Sequence, residues 1–318
     1  MAYDDAILRT DAAALIPEPV ANDLLTGIEN QSAAMSLFTR LRMSSGTTRM
    51  PVLSALPQAF FVNGDTGRKQ TTNVAWDNKM LTAEEIAVIV PIPEAVLDDA
   101  GFDVWGNIRP MLEQAVARTL DAAVFFGTNK PSSWPDDILT ATTAAGNTGT
   151  RGTATVEEGG IAQDLNAVFA TVEGDGYVVN GIAANPTYKG ILRGARDAGG
   201  NLLRDVDGNT ERIWGVPIVY PMAGQWPNST TVGEQNAELF AGDYSKGIVA
   251  VRQDFTYKLL DQAVITDETG AIQFNLAQQD MVALRLVFRC GFQVANPVTY
   301  DAGTAGYPFA VLNSPVNA

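Results

Sequence analysis

Histidine is absent from this chain of 318 residues, and cysteine occurs once, at Cys290. Those two shortages remove Ser-His-Asp and Cys-His catalysis, histidine-based metal sites, zinc clusters and intrachain disulfides together. Set between Arg289 and Gly291 in an apolar run, Cys290 reads as a small buried residue. Basic residues are also scarce, 21 against 36 acidic, for a net charge of −15. A nucleic-acid surface needs clustered lysine and arginine to neutralise phosphate, so the chain is not expected to grip DNA. No apolar run reaches the ~18 residues of a membrane span. The opening Met1-Ala2-Tyr3-Asp4-Asp5 lacks the basic and apolar regions of a signal peptide, and a cytoplasm-like setting is the expectation. What is present, 46% hydrophobic and 18% charged residues, suits a folded chain of roughly two domains.

The chain is organised around Asn107 to Phe126. Ile108, Leu112, Ala115, Val116, Thr119, Leu120 and Ala123 recur at three- and four-residue spacing, with Arg109, Glu113, Gln114, Arg118 and Asp121 on the other face. This predicts an amphipathic helix of about twenty residues and on the order of 30 Å. With Asn107 as N-cap, Pro110 occupies a first-turn position whose missing N–H costs nothing, while a start at Asp103 puts Pro110 inside the helix. Gly127 supplies a left-handed stop.

Ahead of the helix, the prolines of Leu15-Ile16-Pro17-Glu18-Pro19-Val20 hold an extended segment, and Asn22 to Leu41 carries a helical pattern. Strand-like Met50 to Leu53 leads into Phe60-Phe61-Val62, a polar turn from Asn63 to Gln70, and a return through Val74 and Trp76. This is a long hairpin whose apolar strands find no partner within the subunit, an aggregation site unless a neighbour covers it. Ile86 to Val90 is a buried-strand run stopped by Pro91, and Pro93 to Asp99 a short helix. After Gly127, Ile138 to Thr155 reads as a polar hairpin or mobile loop that marks a domain boundary. Helices over Ala162–Thr171 and Pro186–Ala195 then alternate with strands over Tyr177–Val179, Ile213–Val219 and Ile248–Val251. Strands over Phe255–Leu260, Ala271–Leu276 and Met281–Val294 close the chain, with a bend at Gly291.

Local motifs do not add a chemical site. Asp205-Val206-Asp207-Gly208-Asn209 opens like a calcium loop, but Thr210 and Val216 stand where the loop's glycine and final carboxylate belong. Gly174-Asp175-Gly176 lacks the spacing of a phosphate loop. Asp98-Asp99 and Glu157-Glu158 are sequence neighbours on polar segments, whereas acid–base work needs carboxylates converging from separate elements. Asn30-Gln31-Ser32 and Asn228-Ser229-Thr230 match a glycosylation pattern that is meaningless without secretion.

Taken in order, these features resemble the major capsid proteins of tailed bacteriophages, the HK-97-like fold. The resemblance rests on Leu15-Ile16-Pro17 before a helix, Phe60-Phe61-Val62-Asn63-Gly64 opening a hairpin, and Ala87 to Pro93 running into Ala95-Val96-Leu97-Asp98-Asp99. It rests also on Asn185-Pro186 before a helix, Ile213-Trp214-Gly215-Val216-Pro217-Ile218, Leu239-Phe240-Ala241-Gly242-Asp243-Tyr244, and Ala283 to Pro297 ending in Val294-Ala295-Asn296-Pro297. It implies an α+β chain with an N-terminal arm and lead-in (1–55) and an extended β-hairpin loop (56–83). A peripheral domain carrying the long spine helix would take 84–135 and 255–298, and an axial α/β domain 164–254 and 299–318, with the polar 136–163 segment between them. Some relatives join an extended-loop lysine to a neighbour's asparagine; Lys69, Lys79 and Asn296 are the residue types in place, but no motif fixes a pairing.

The reading is therefore a structural, non-enzymatic protein that self-assembles as pentamers and hexamers into an icosahedral shell around double-stranded DNA. That shell would be built in the bacterial host cytoplasm and kept in the virion. Partners implied are other copies and a portal, with either a separate scaffolding protein or none, and a decoration protein as an optional addition; no cofactor, metal or membrane is called for. Phe60, Phe61, Arg68, Lys69 and Trp76 are the expected subunit-contact residues, with the basic tip seeking an acidic patch on a neighbour. The rivals are an encapsulin-like compartment of the same fold, betrayed by a small particle, and an enzyme using Asp/Glu or Lys chemistry, betrayed by carboxylates converging in an apolar pocket.

Overall fold

The structure, a computed structural model, describes residues 32–62, 68–101, 103–196, 199, 212–221, 226–227, 236–267, 269–301 and 306–316. In chain order it contains α1 (Ala33–Leu37), β1 (Thr39–Arg42), β2 (Thr47–Ala55), β3 (Ala75–Thr82), β4 (Glu84–Pro93), α2 (Glu94–Asp99), α3 (Val104–Phe126), α4 (Ile138–Ala145), β5 (Thr148–Thr150), α5 (Ile161–Gly174), β6 (Gly181–Ala184), α6 (Tyr188–Gly194), β7 (Arg212–Ile213), β8 (Val216–Val219), β9 (Ala237–Gly242), β10 (Gly247–Leu260), β11 (Val264–Thr266), β12 (Ile272–Asn275), β13 (Met281–Val294) and β14 (Phe309–Asn313). Two units emerge. The described part of the first comprises residues 84–118 and 253–290, and the second takes 32–83, 119–252 and 291–318. The expected arm over Leu15–Val20, the 205–209 turn and the 228–230 sequon lie outside the described residues.

In the first unit the strand order is β10–β13–β4. β4 and β13 pair antiparallel without a break from Pro93↔Met281 to Glu84↔Cys290. One sheet face is set by aromatics: Phe255 stacks on Phe288 at 4.9 Å. Tyr257, two residues on, donates its hydroxyl to Glu113 of α3 while Arg109 lies 5.4 Å over its ring. Leu112, Val116 and Ala117 of α3 are buried. A smaller core of Leu276, Met281 and Ala283 sits under Ile265 and Phe274 of the β11–β12 hairpin.

Several expectations are corrected here. The spine helix begins at Val104, not after Asn107, because Asp103 takes the cap: its Oδ1 accepts from Gly106 N–H at 2.9 Å and its carbonyl from Asn107 N–H at 3.2 Å. Pro110 is consequently internal, leaving the Gly106 carbonyl without an intrahelical donor. Ala115 and Thr119, assigned to the apolar face, are exposed, and Asp121, assigned to the polar face, is buried. Pro91 does not stop β4. It pairs with Ala283 on a strand whose other edge carries no partner among the described residues, where a missing N–H is harmless. The 86–90 run is half-exposed rather than buried, alternating in period two. Gly291 is no bend: β13 continues through it, and a Cβ there would lie 2.6 Å from the Thr82 carbonyl oxygen.

The second unit is built on a six-stranded mixed sheet, β5–β14–β9–β6–β8–β7. Its core gathers Leu165, Val168, Phe169 and Val172 of α5 with Ile182, Leu239, Ala310 and Leu312 of the strands. The 138–155 segment, expected as a polar hairpin or loop, instead holds α4 and the edge strand β5. Asp137 caps α4 by accepting from Thr140 N–H, and Gly146 ends it in the left-handed region at φ 80°. The strand expected at Tyr177–Val179 begins at Gly181, because Gly176 and Tyr177 are spent closing α5, Tyr177 N–H reaching the Val172 carbonyl. Ile213–Val219 is a tight hairpin rather than one strand, turned by Trp214 and Gly215 at φ 48° and 82°. Thr39–Leu41, expected within a helix, is a strand parallel to Ile248–Ala250 of β10. Gly127 does stop α3 at φ 67°.

Buried Asp121 explains where α1 begins. Its two oxygens accept from Ser32 Oγ at 2.5 Å, Ala33 N–H at 2.9 Å and Ala34 N–H at 3.0 Å. Burial pushes its carboxyl up to about 6, against the lowering effect of those three donors. At the other end of α1, Phe38 packs on Phe125 at 5.9 Å.

Candidate functional site

The residues singled out for subunit contact all fall on or beside one antiparallel hairpin of the second unit. β2 and β3 pair from Thr47↔Thr82 to Ala55↔Ala75, with a shift between Leu53 and Ala55. Strand alternation divides it into two faces. Val52, Asp77, Lys79 and Leu81 share one, on which Val52 and Leu81 are buried, the latter completely. Trp76, Asn78 and Met80 share the other with Arg49, Pro51 and Leu53. There Trp76 is 67% exposed and Met80 46%.

The inward face is held by contacts remote in sequence. Leu81 packs with Met43, Ala83 and Ala250. Lys79 Nζ donates to the Val294 carbonyl at 2.9 Å, and partial burial lowers its pKa from the ordinary value, opposed by Asp77. Gln293 Nε2 donates to the Met80 carbonyl at 2.8 Å and Trp134 Nε1 to the Thr82 carbonyl at 3.2 Å. Val298 N–H reaches the Leu53 carbonyl at 3.1 Å.

Beyond Ala55 the legs leave regular pairing, so the expected strand through Phe60-Phe61-Val62 does not form. They stay tied by Gln58 N–H to Thr72 Oγ1 at 2.9 Å and by the Tyr300 hydroxyl to the Pro57 carbonyl at 2.7 Å. Phe61 is fully exposed, Phe60 48% exposed, and Arg68 and Lys69 are exposed. Residues 63–67 at the turn lie outside the described residues. Thus the structure brings Phe60, Phe61, Arg68, Lys69 and Trp76 onto one limb. The residues that anchor it, Gln293, Lys79, Trp134 and Tyr300, carry no local sequence signal, since their partners are carbonyls up to 243 residues away.

What this arrangement can do is adhere. Phe61 and Trp76 present roughly 300 Å² of aromatic surface between them, worth on the order of 7 kcal/mol if wholly buried, before the cost of association. Of the groups weighed as crosslinking types, Lys79 is engaged as above, and Asn296 Oδ1 accepts from the Tyr177 hydroxyl at 2.6 Å. Cys290 is buried and free, its thiol pushed up to about 12 by burial. Glu158 closes a capping box with Thr155 rather than facing a partner carboxylate. Among the described residues no helix is long and apolar enough to cross a membrane.

Comparison with known proteins agrees on one family. The sequence profile of the phage capsid family matches residues 12–299. The major capsid protein of Staphylococcus phage 80alpha is 23% identical over 300 residues, covering 92% of this chain and 86% of that protein. Among solved structures, a chain from Microbacterium phage Oxtober96 matches at TM-score 0.82 and 39% identity, covering 98% of this chain and 100% of that one. A chain from Mycobacterium phage Bobi matches at TM-score 0.81 and 34% identity, covering 98% and 99%.

Proposed function

This chain belongs to the phage capsid family, a structural protein of the virion shell, and from that premise we propose that the β2–β3 limb is its principal subunit contact. The carrying observation is the two-faced hairpin: its inner face is fixed by side chains that donate to its backbone carbonyls, and its outer face presents an aromatic surface left exposed among the described residues. In a symmetric lattice every copy buries the same surface, and modest contacts summed over many neighbours hold the whole. Phe60, Phe61 and Trp76 are the apolar anchors, with Arg68 and Lys69 steering the tip toward carboxylates of a neighbour.

The finer reading follows the family. Copies gather as pentamers and hexamers in an icosahedral shell enclosing double-stranded DNA, with a separate scaffolding protein, a portal and a decoration protein as partners. The first unit acts as the peripheral domain and the six-stranded sheet as the axial one. Net charge −15 lets a polyanion lie inside without adhesion. The protein's work is assembly, not catalysis.

Replacing residues 63–73 by a short Gly-Ser turn tests the limb. Circular dichroism of the subunit should stay nearly unchanged while sedimentation and microscopy show no shells. Normal shells from that variant would remove the limb from the contact, and loss of subunit folding would make it a core hairpin.

A further inference from the structure

In the second unit, α1 is fixed at its two ends by unlike means. Beyond its last turn Phe38 sits among Phe125, Tyr244, Phe292 and Phe309 with ring centroids 5.1 to 5.9 Å away, and a Cβ on Gly247 would fall 2.1 Å from the Phe38 ring. That end is an apolar socket. At the other end the hold is polar, because the Ser32 hydroxyl and the N–H groups of Ala33 and Ala34 all donate to the single carboxyl of Asp121, at 2.5, 2.9 and 3.0 Å. Asp121 is 3% exposed and makes no other hydrogen bond or ion pair among the described residues.

No charge nearby offsets that carboxyl. α1 carries no titratable side chain, and neither does β8 or Gly181 of β6, which pack against it. Arg40 donates its Nε to the Met35 carbonyl at 2.6 Å, Tyr244 its hydroxyl to the Phe240 carbonyl at 3.1 Å, and Arg118, one turn back on α3, is exposed. A buried carboxyl without a cation resists ionisation. Against the pull of its three donors, burial lifts it to about 6 while α1 is seated, and water would return it toward 3.8 once the helix lifts away. Protonation need break no contact, since Ser32 Oγ accepts from Met35 N–H at 3.1 Å and keeps a second lone pair for an Asp121 O–H.

We propose that α1 is a proton-linked clasp: a proton on Asp121 favours the seated helix, and its loss loosens Ser32 to Leu37 while Phe38 stays in its aromatic socket. Seating and proton binding are then one linked equilibrium, strongest below 3.8 and weakening as pH rises through about 6. Between pH 5.0 and 7.5 the seating constant should fall about tenfold. α1 leads through β1 into β2, so the clasp stands at the root of the limb. That it bears on subunit contact rests on the shell reading, whereas the clasp itself is tested on free subunits and can fail without that reading.

Amide hydrogen exchange of the full chain, kept as free subunits and followed by mass spectrometry, reads the clasp directly when each rate is divided by that of the unstructured peptide at the same pH. Protection over residues 32–38 should fall about tenfold from pH 5.0 to 7.5. At both values it should stay below the protection of residues 165–172 in the core of α5, as a local opening requires. In Asp121→Asn the dependence on pH over 32–38 should vanish. Protection that is flat or rises with pH, that equals the α5 core, or that keeps its pH dependence in the asparagine variant would each overturn the proposal. Should that variant fail to fold, the two comparisons within the parent chain still decide.

Discussion

Replacing Asp121 by asparagine should change how stability depends on pH more than it changes stability itself. In the native chain this carboxyl is 3% exposed and takes three donors, Ser32 Oγ, Ala33 N–H and Ala34 N–H, with no charged side chain among the causes of its shift. Its pKa rises from 3.8 to about 6, and such a difference between folded and unfolded chains is worth roughly 3 kcal/mol. The sign follows from proton counts. Between pH 4 and 6 the folded chain holds a proton at Asp121 that the unfolded chain has lost, so acid favours the fold. That contribution is complete below 3.8 and is lost as pH rises through about 6. Asparagine keeps one acceptor oxygen but turns an N–H₂ toward the donor at Ala33, forfeiting about 1–3 kcal/mol of hydrogen bonding at every pH. The variant should therefore be clearly less stable than the parent at pH 4.5, and the gap should close by about 2 kcal/mol at pH 7.5. Urea unfolding of both proteins at the two values measures this, and the difference between them cancels the remaining carboxylates. Parallel stability curves from pH 4 to 7 would refute the assignment, and a gap that widens toward neutrality would mean that the three donors outweigh burial.

Leu120, fully buried on α3, should lose about 2–5 kcal/mol on Leu120→Ala through the cavity left behind, and Leu112→Ala should behave alike; unchanged thermal unfolding of isolated subunits would show that this stripe is not core. Cys290, buried with its thiol pushed up to about 12, should react with a maleimide only as fast as the chain unfolds, and rapid labelling of native protein at pH 7.5 would contradict that placement.

Periodicity made the long helix legible, and uninterrupted apolar runs the strands of the first unit, although the alternating exposure of residues 86–90 shows that such a run need not be buried. The β2–β3 hairpin was legible for a related reason. An apolar strand, a run of turn residues and an apolar return admit few other readings. α4 was missed although its signals were present: Asp137 and Gly146 bracket Ile138–Ala145, but the threonines inside dilute the helical stripe. The start of α3 stayed open between Asn107 and Asp103 because proline is favoured in a first turn, and only the Asp103 cap decides for the second.

Asp121 could not have been read correctly from pattern, since a charge at helical spacing is normally solvated and the donors that hold it inside lie 87 to 89 residues away. The same holds for the limb's anchors. This asymmetry is itself informative about the site. Among the described residues the outward side chains, Trp76, Met80 and Phe61, stand exposed, whereas the inward ones, Val52, Leu81 and Lys79, are each accounted for within the second unit. A limb whose backbone is already fixed by Gln293, Trp134 and Val298 loses little further backbone freedom when its outer face meets another copy. Changes on its two faces should therefore separate: truncating Leu81 should cost the fold, while truncating Trp76 should cost only the contact.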